Sequence, residues 1–274
     1  MEDFRKAAKP NELAVLQRYV DRCKSVHITI TLINYLTPVL VLCGTLIKPD
    51  EILPAPAAYP FSVDSGLMLY LAYIHQCFAA FQCSAGATID CQTAMLMWYV
   101  GARLEILAAE LEKTRNPKTL HNLIERHQQL LGLAYEAKST MSYIALTTTT
   151  TSGIATVCSC LQLVSNEPMV VKMQFGPVAL ISIACLFVCA WPADNIIAVC
   201  DSVGVAAYNS PWVGMPPKLR RHILMILRRS QRPVVASIGG FIPALSLRYY
   251  ASFLSAAFSY FTTLSATMAA DNQP

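Results

Sequence analysis

Apolar residues gather in this chain into long uncharged stretches separated by charged segments, and these stretches set the first prediction. Five of them reach the length of about 20 residues that a bilayer-spanning helix needs: Ser25–Ile47, Ser65–Ile89, Ser139–Asn166, Met173–Ala193 and Tyr249–Ala270. The expected fold class is therefore all-α: one polytopic membrane domain with helices over about 25–47, 66–89, 140–164, 174–193 and 249–270. Two further uncharged runs, Ser202–Pro217 and Pro233–Leu247, are too short to cross and are interrupted by Pro or Gly.

The segments between the spans are unequal. Lys48–Asp64, stiffened by Pro54, Pro56 and Pro60, and Glu167–Lys172 are short. The other two are long enough to hold structure. Ala102–Leu111 continues the second span's helix. After the break at Asn116-Pro117, Leu120, Leu123, Ile124, His127, Leu130, Leu131 and Ala134 recur at helical spacing and lead into the third span. Residues 102–138 and 200–247 are thus predicted to form a helical layer outside the bilayer. Such extensions need partners for their apolar faces, which points to a packed layer or an oligomer.

Charge then orients the chain. Counted from the N-terminus, the segments hold 6, 1, 6, 1, 7 and 0 Lys or Arg residues, so 19 of the 21 lie on alternate sides of the spans. By the positive-inside rule the N-terminus and the long connections are expected in the cytosol and the C-terminus outside. Only 14% of residues are charged and 54% are hydrophobic, against about 25% charged in a soluble domain. This excludes an ordinary cytosolic enzyme and a disordered tail, and the net charge of +4 is too small for a nucleic-acid binder. No cleavable signal peptide is visible, because charges run through the first 24 residues.

Candidate chemistry is sparse. There is no phosphate-cradling glycine loop, HExxH, paired CxxC or Gly-x-Ser-x-Gly, so no enzyme is expected, and no cofactor or metal is implied. The ten cysteines sit mostly in apolar segments and read as small core residues. Among ionisable groups near the spans are His27, His75, Asp90 and Asp194. Intramembrane charge flags function, but both acids fall at the inner ends of their spans, where interface anchoring competes with ion handling.

The last span is more informative. At 100° per residue, Ser252, Ser255, Ser259, Thr262, Thr263 and Thr267 fall within about 140° of one another, opposite Phe253, Leu254, Phe258, Phe261, Leu264 and Met268. An uncharged hydroxyl stripe suits a helix lining a narrow aqueous path, and small hydroxyl residues equally well pack helices together in lipid. A second stripe, Tyr70, Tyr73, Ile74, Cys77, Phe78 and Phe81, runs along the outer half of the second span. It suits a small lipophilic ligand, with ordinary helix packing the alternative. Thr147–Thr151 points all round its helix and is expected to bond back to its own carbonyls.

Several segments taken together bring a family into view. Ala207-Tyr208-Asn209-Ser210-Pro211-Trp212, Pro217-Lys218-Leu219-Arg220-Arg221, Leu227 to Pro233, Gly239 with Phe241-Ile242-Pro243, and Phe258-Ser259-Tyr260-Phe261-Thr262-Thr263-Leu264 resemble, in order, the C-terminal region of insect odorant receptors. Tyr59-Pro60-Phe61 and Gln76 are a weaker echo. The resemblance implies a seven-helix subunit of an odorant-gated cation channel, assembled as a hetero-oligomeric tetramer with the odorant receptor co-receptor in the dendritic membrane of an olfactory neuron. The small volatile odorant would bind in the outer half of the membrane, against Leu36, Leu40, Cys43, Tyr70, Tyr73, Ile74, Cys77 and Phe78. The pore would be lined by the last helix, with the gate at Thr263 and Thr267, and subunit contacts would come from the cytosolic helices.

Against the family's seven crossings this chain has five, so the resemblance implies that the first two helices are missing from it. A gustatory relative, or a non-conducting scaffold or transporter fragment, is the alternative reading. A gustatory receptor would more often carry a Thr-Tyr pair and a later Gln-Phe pair at its last helix, which this chain lacks.

Overall fold

The computed structural model describes residues 4–271 apart from 5, 7, 48–52, 54–56, 58, 64–65, 166–168 and 239–240; within the helices, the side chains of 40–47, 170–171, 174 and 269–271 also lie outside the description. Six helices dominate: α1 (Pro10–Ile47), α2 (Leu67–Lys113), α3 (Pro117–Val164), α4 (Met169–Asn209), α5 (Pro217–Ser230) and α6 (Leu247–Asp271). No strand occurs among the described residues, and one isolated bridge joins Ile238 and Ile242.

The apolar runs become helices longer than a bilayer requires. The 47 residues of α2 extend about 70 Å at 1.5 Å per residue, against about 30 Å of hydrocarbon. The excess of α2, α3 and α4 builds a second layer beneath the span bundle. Asn116 starts α3 there, its side chain accepting from the Lys118 backbone N–H at 2.9 Å with Pro117 at the first turn. The stripe Leu120, Leu123, His127, Leu130 and Ala134 is buried, with Ile124 and Leu131 at its edge. Two helices, 117–164 and 175–209, are apolar enough to cross a membrane on hydropathy alone. Gln and hydroxyl residues dilute the outer half of α2 and all of α6.

One core ties the layers together, from Met97, Leu104 and Leu111 of α2 through Leu120 and Met141 of α3 to Leu186, Ile196 and Val203 of α4. Its tightest points are glycines. A Cβ on Gly101 of α2 would lie 2.7 Å from Asn195 Nδ2 of α4, and one on Gly204 would lie 2.9 Å from Ser230 Cβ of α5. An aromatic chain crosses the same region: Tyr19 to Trp98 (5.8 Å between ring centres), Trp98 to Trp191 (5.0 Å), Trp191 to Phe187 (5.4 Å) and Phe187 to Tyr250 (5.5 Å). It links α1 to α6 through α2 and α4.

Residues 200–247 are not helical throughout. Beyond α5, Pro233 and Pro243 deny the backbone two donors, and the segment up to α6 tucks into the core instead, burying Val234, Ala236, Ile242 and Leu245. Its amides pair locally: Ile238 and Ile242 exchange hydrogen bonds at 2.8 and 2.9 Å, and Leu245 N donates to Ala236 O at 2.8 Å.

Candidate ligand site and pore face

The hydroxyl stripe lies on α6, whose start is fixed by α4. The Leu247 amide donates to Asp194 Oδ1 at 3.2 Å, and the Tyr249 amide to Ser246 Oγ at 3.2 Å. Asp194 thus satisfies a free amide at the positive end of α6 from a neighbouring helix.

All six stripe residues, Ser252, Ser255, Ser259, Thr262, Thr263 and Thr267, are exposed, while Phe253, Leu254, Phe261, Leu264 and Met268 opposite are half-buried. Phe258 breaks the pattern at 70% exposure. Along the stripe several hydroxyl protons are spent on the helix's own carbonyls: Ser252 to Arg248 O at 3.1 Å, Thr262 and Thr263 to Ser259 O at 2.9 and 2.8 Å, and Thr267 to Thr263 O at 3.0 Å. What these side chains present outward is lone pairs, which suit a cation.

The aromatic stripe of α2 is open. Tyr70, Ile74, Phe78 and Phe81 are exposed, Tyr73 and Cys77 half-buried, and Leu36 of α1 is 55% exposed; the side chains of Leu40 and Cys43 lie outside the described residues. These groups form an apolar face and not an enclosed pocket. Above it the structure places Tyr59, whose hydroxyl lies 3.5 Å from His75 Nδ1 and accepts from Gln76 Nε2 at 3.4 Å, with Phe61 beside its ring at 5.3 Å. The Tyr59-Pro60-Phe61 segment and Gln76, 17 residues apart, therefore meet; His75 joins them, which the spacing along the chain did not indicate.

Outside the spans, Arg126 of α3 pairs with Glu110 of α2 at 2.6 Å and with Glu12 of α1 at 3.7 Å, and Arg18 of α1 pairs with Glu105 of α2 at 2.5 Å. Arg229 of α5 donates to Tyr135 of α3 at 2.6 Å. Burial holds two groups in their neutral forms here: Tyr19 is pushed up to about 12, and His127 is pushed down to about 4, with the Arg229 charge adding to the effect.

A bundle of helices longer than the membrane, a final helix with an exposed hydroxyl face and a buried second layer beneath the spans define a polytopic helical membrane protein. The model of the seven-transmembrane odorant receptors matches residues 3–258. The chain belongs to the insect odorant receptor family. It is 28% identical to odorant receptor 10 of Aedes albopictus over 145 residues, which are 52% of this chain and 38% of that receptor. To odorant receptor Or2 of Anopheles gambiae it is 25% identical over 146 residues, 53% and 38% of the two chains. The matched stretch thus spans well under half the length of these curated relatives. The fold matches the olfactory receptor OR5 of Machilis hrabei, solved in complex with eugenol, at a TM-score of 0.81 and 19% identity over 93% of this chain and 69% of that one.

Proposed function

We propose that the chain is an odorant receptor subunit that binds a small volatile ligand in the outer half of the membrane and gates a cation pore in a hetero-oligomeric tetramer with the odorant receptor co-receptor, in the dendritic membrane of an olfactory neuron. Family membership supports a receptor role. The observation that carries the pore is the α6 stripe: six hydroxyl residues turned out of the bundle on one side of the helix, with no charge among them. An uncharged hydroxyl face, flanked by exposed Phe258 and Tyr260, is well matched to a shared aqueous axis between subunits. The open aromatic face of α2 with Leu36 supplies the volatile site, closed by neighbouring helices of the assembled receptor. Tyr73 and Cys77 are its half-buried members, against which a seated ligand would pack.

The test is current recording from cells expressing the chain with the co-receptor and exposed to a volatile panel. Ligand-evoked cation current that the co-receptor alone does not give is expected, and Thr263→Trp or Thr267→Trp should change its conductance. Currents identical to those of the co-receptor alone would sink the proposal.

A further inference from the structure

Between α1, α2, α3 and α4 lies a cleft of about 480 Å³ whose lining includes Asn34, Asp90, Thr147, Thr148, Thr151 and Ser182. Asp90 is only 8% exposed. Its Oδ1 accepts from Thr148 Oγ1 at 2.8 Å, and among the described residues no basic side chain pairs with it.

Its depth is set by its neighbours. Asn34 and Thr148 each lie nine residues inside their uncharged runs, and Cys185, on the same cleft, eight residues from the inner end of its own. At 1.5 Å per residue this is about 12–13 Å into the apolar layer. Asp90, the first residue beyond its own uncharged run, therefore packs against side chains that lie well inside theirs. A buried carboxylate without a counter-charge is costly.

Ser152 apart, the rest of the polar lining has little to donate. Thr147 donates to Ile144 O at 2.9 Å, Thr151 to Thr147 O at 2.8 Å, Ser182 to Val178 O at 2.8 Å, and Thr148 to the carboxylate itself. The Asn34 amide nitrogen donates to Ile30 O at 2.9 Å and toward Cys185 Sγ. These side chains offer the cleft oxygen lone pairs around one negative charge, while Ile89, Ile144 and Ile181 supply apolar wall. The volume is many times the roughly 30 Å³ share of one water, and too large to be filled by a bare alkali ion.

We propose that this cleft is a binding site for a small alkylammonium ion, its nitrogen donating to Asp90 and the surrounding hydroxyl oxygens and its alkyl tail lying against the isoleucines. The site is separate from the open aromatic face of α2, and binding to it is read directly, without any channel current.

The full chain in lipid nanodiscs, titrated calorimetrically with n-butylammonium chloride and with neutral 1-pentanol, tests it. Saturable butylammonium binding is expected, at least about tenfold tighter than pentanol, as a paired buried charge requires. Asp90→Asn, which keeps the shape and the Thr148 partner, should abolish that preference. Gly86 also lines the cleft, and a Cβ added there meets nothing within 4 Å. Gly86→Leu should therefore fill the cleft, leave the unfolding temperature intact and weaken butylammonium by a similar factor. It carries the test even where Asp90→Asn does not fold. Equal affinity for the ammonium ion and the alcohol, unchanged binding in Gly86→Leu, or sodium binding that butylammonium does not displace would each overturn the assignment.

Discussion

Single side chains decide where polar groups survive inside this apolar molecule. Asp194 is tolerated because α6 begins against it and offers a free amide. Asp194→Ala removes that acceptor and should destabilise the α6 start by about 1 kcal/mol, the usual cost of a lost helix cap; hydrogen exchange at residues 247–250 should accelerate, and unchanged protection there would show that the cap is idle. His127 is tolerated because it stays neutral. Its value of about 4 lies below the ordinary 6.5, so the unfolded chain takes up a proton between those values and the folded one does not. The associated stability is complete above about pH 6.5 and is lost as the pH falls toward 4. His121, Glu125, His222 and Arg229 share its groove, and the Arg229 charge reinforces the direction. In detergent, denaturant unfolding of wild type and His127→Gln should diverge on going from about pH 7.5 to about pH 4.5, the wild type losing on the order of 2 kcal/mol more. Parallel pH profiles would contradict the burial account.

At the scale of elements, what could be read in the sequence was what depends on local periodicity. Apart from end residues of the second and third, the five uncharged runs lie on helices, and the Leu120–Ala134 stripe is buried along its centre as its spacing requires. The end of α4 was less legible: Pro177 and Pro192 lie inside the helix, which nonetheless runs on to Asn209, packed against α1, α2, α3, α5 and α6. The Thr147–Thr151 run shows the limit most clearly. Thr147 and Thr151 bond back to their own carbonyls as expected, but Thr148 reaches Asp90, 58 residues away. Nothing local marks that pairing, and it depends on the packing of α2 against α3. Likewise the aromatic stripe of α2 is regular in sequence, yet which neighbour covers it is a question of assembly.

At the scale of the whole molecule, two features give the chain its character as a membrane subunit. The helices overrun the bilayer to build an inner layer cemented by the buried α3 stripe, the Arg126 pairs and the Pro233–Leu245 segment. The short α6, joined to the bundle by Tyr250 and Phe253, leaves its hydroxyl face free. An aromatic chain from Tyr19 to Tyr250 connects the two. The central claim is that this free face lines the ion path of the assembled channel. Thiol accessibility tests it most directly: in cells expressing the co-receptor with Thr263→Cys, a charged water-soluble methanethiosulfonate applied during ligand-evoked current should block most of that current. Leu264→Cys, on the half-buried side, and the wild type, which bears its own exposed Cys83 and Cys158, should be insensitive. Block at Leu264→Cys with none at Thr263→Cys would place the wrong face on the pore and contradict the account.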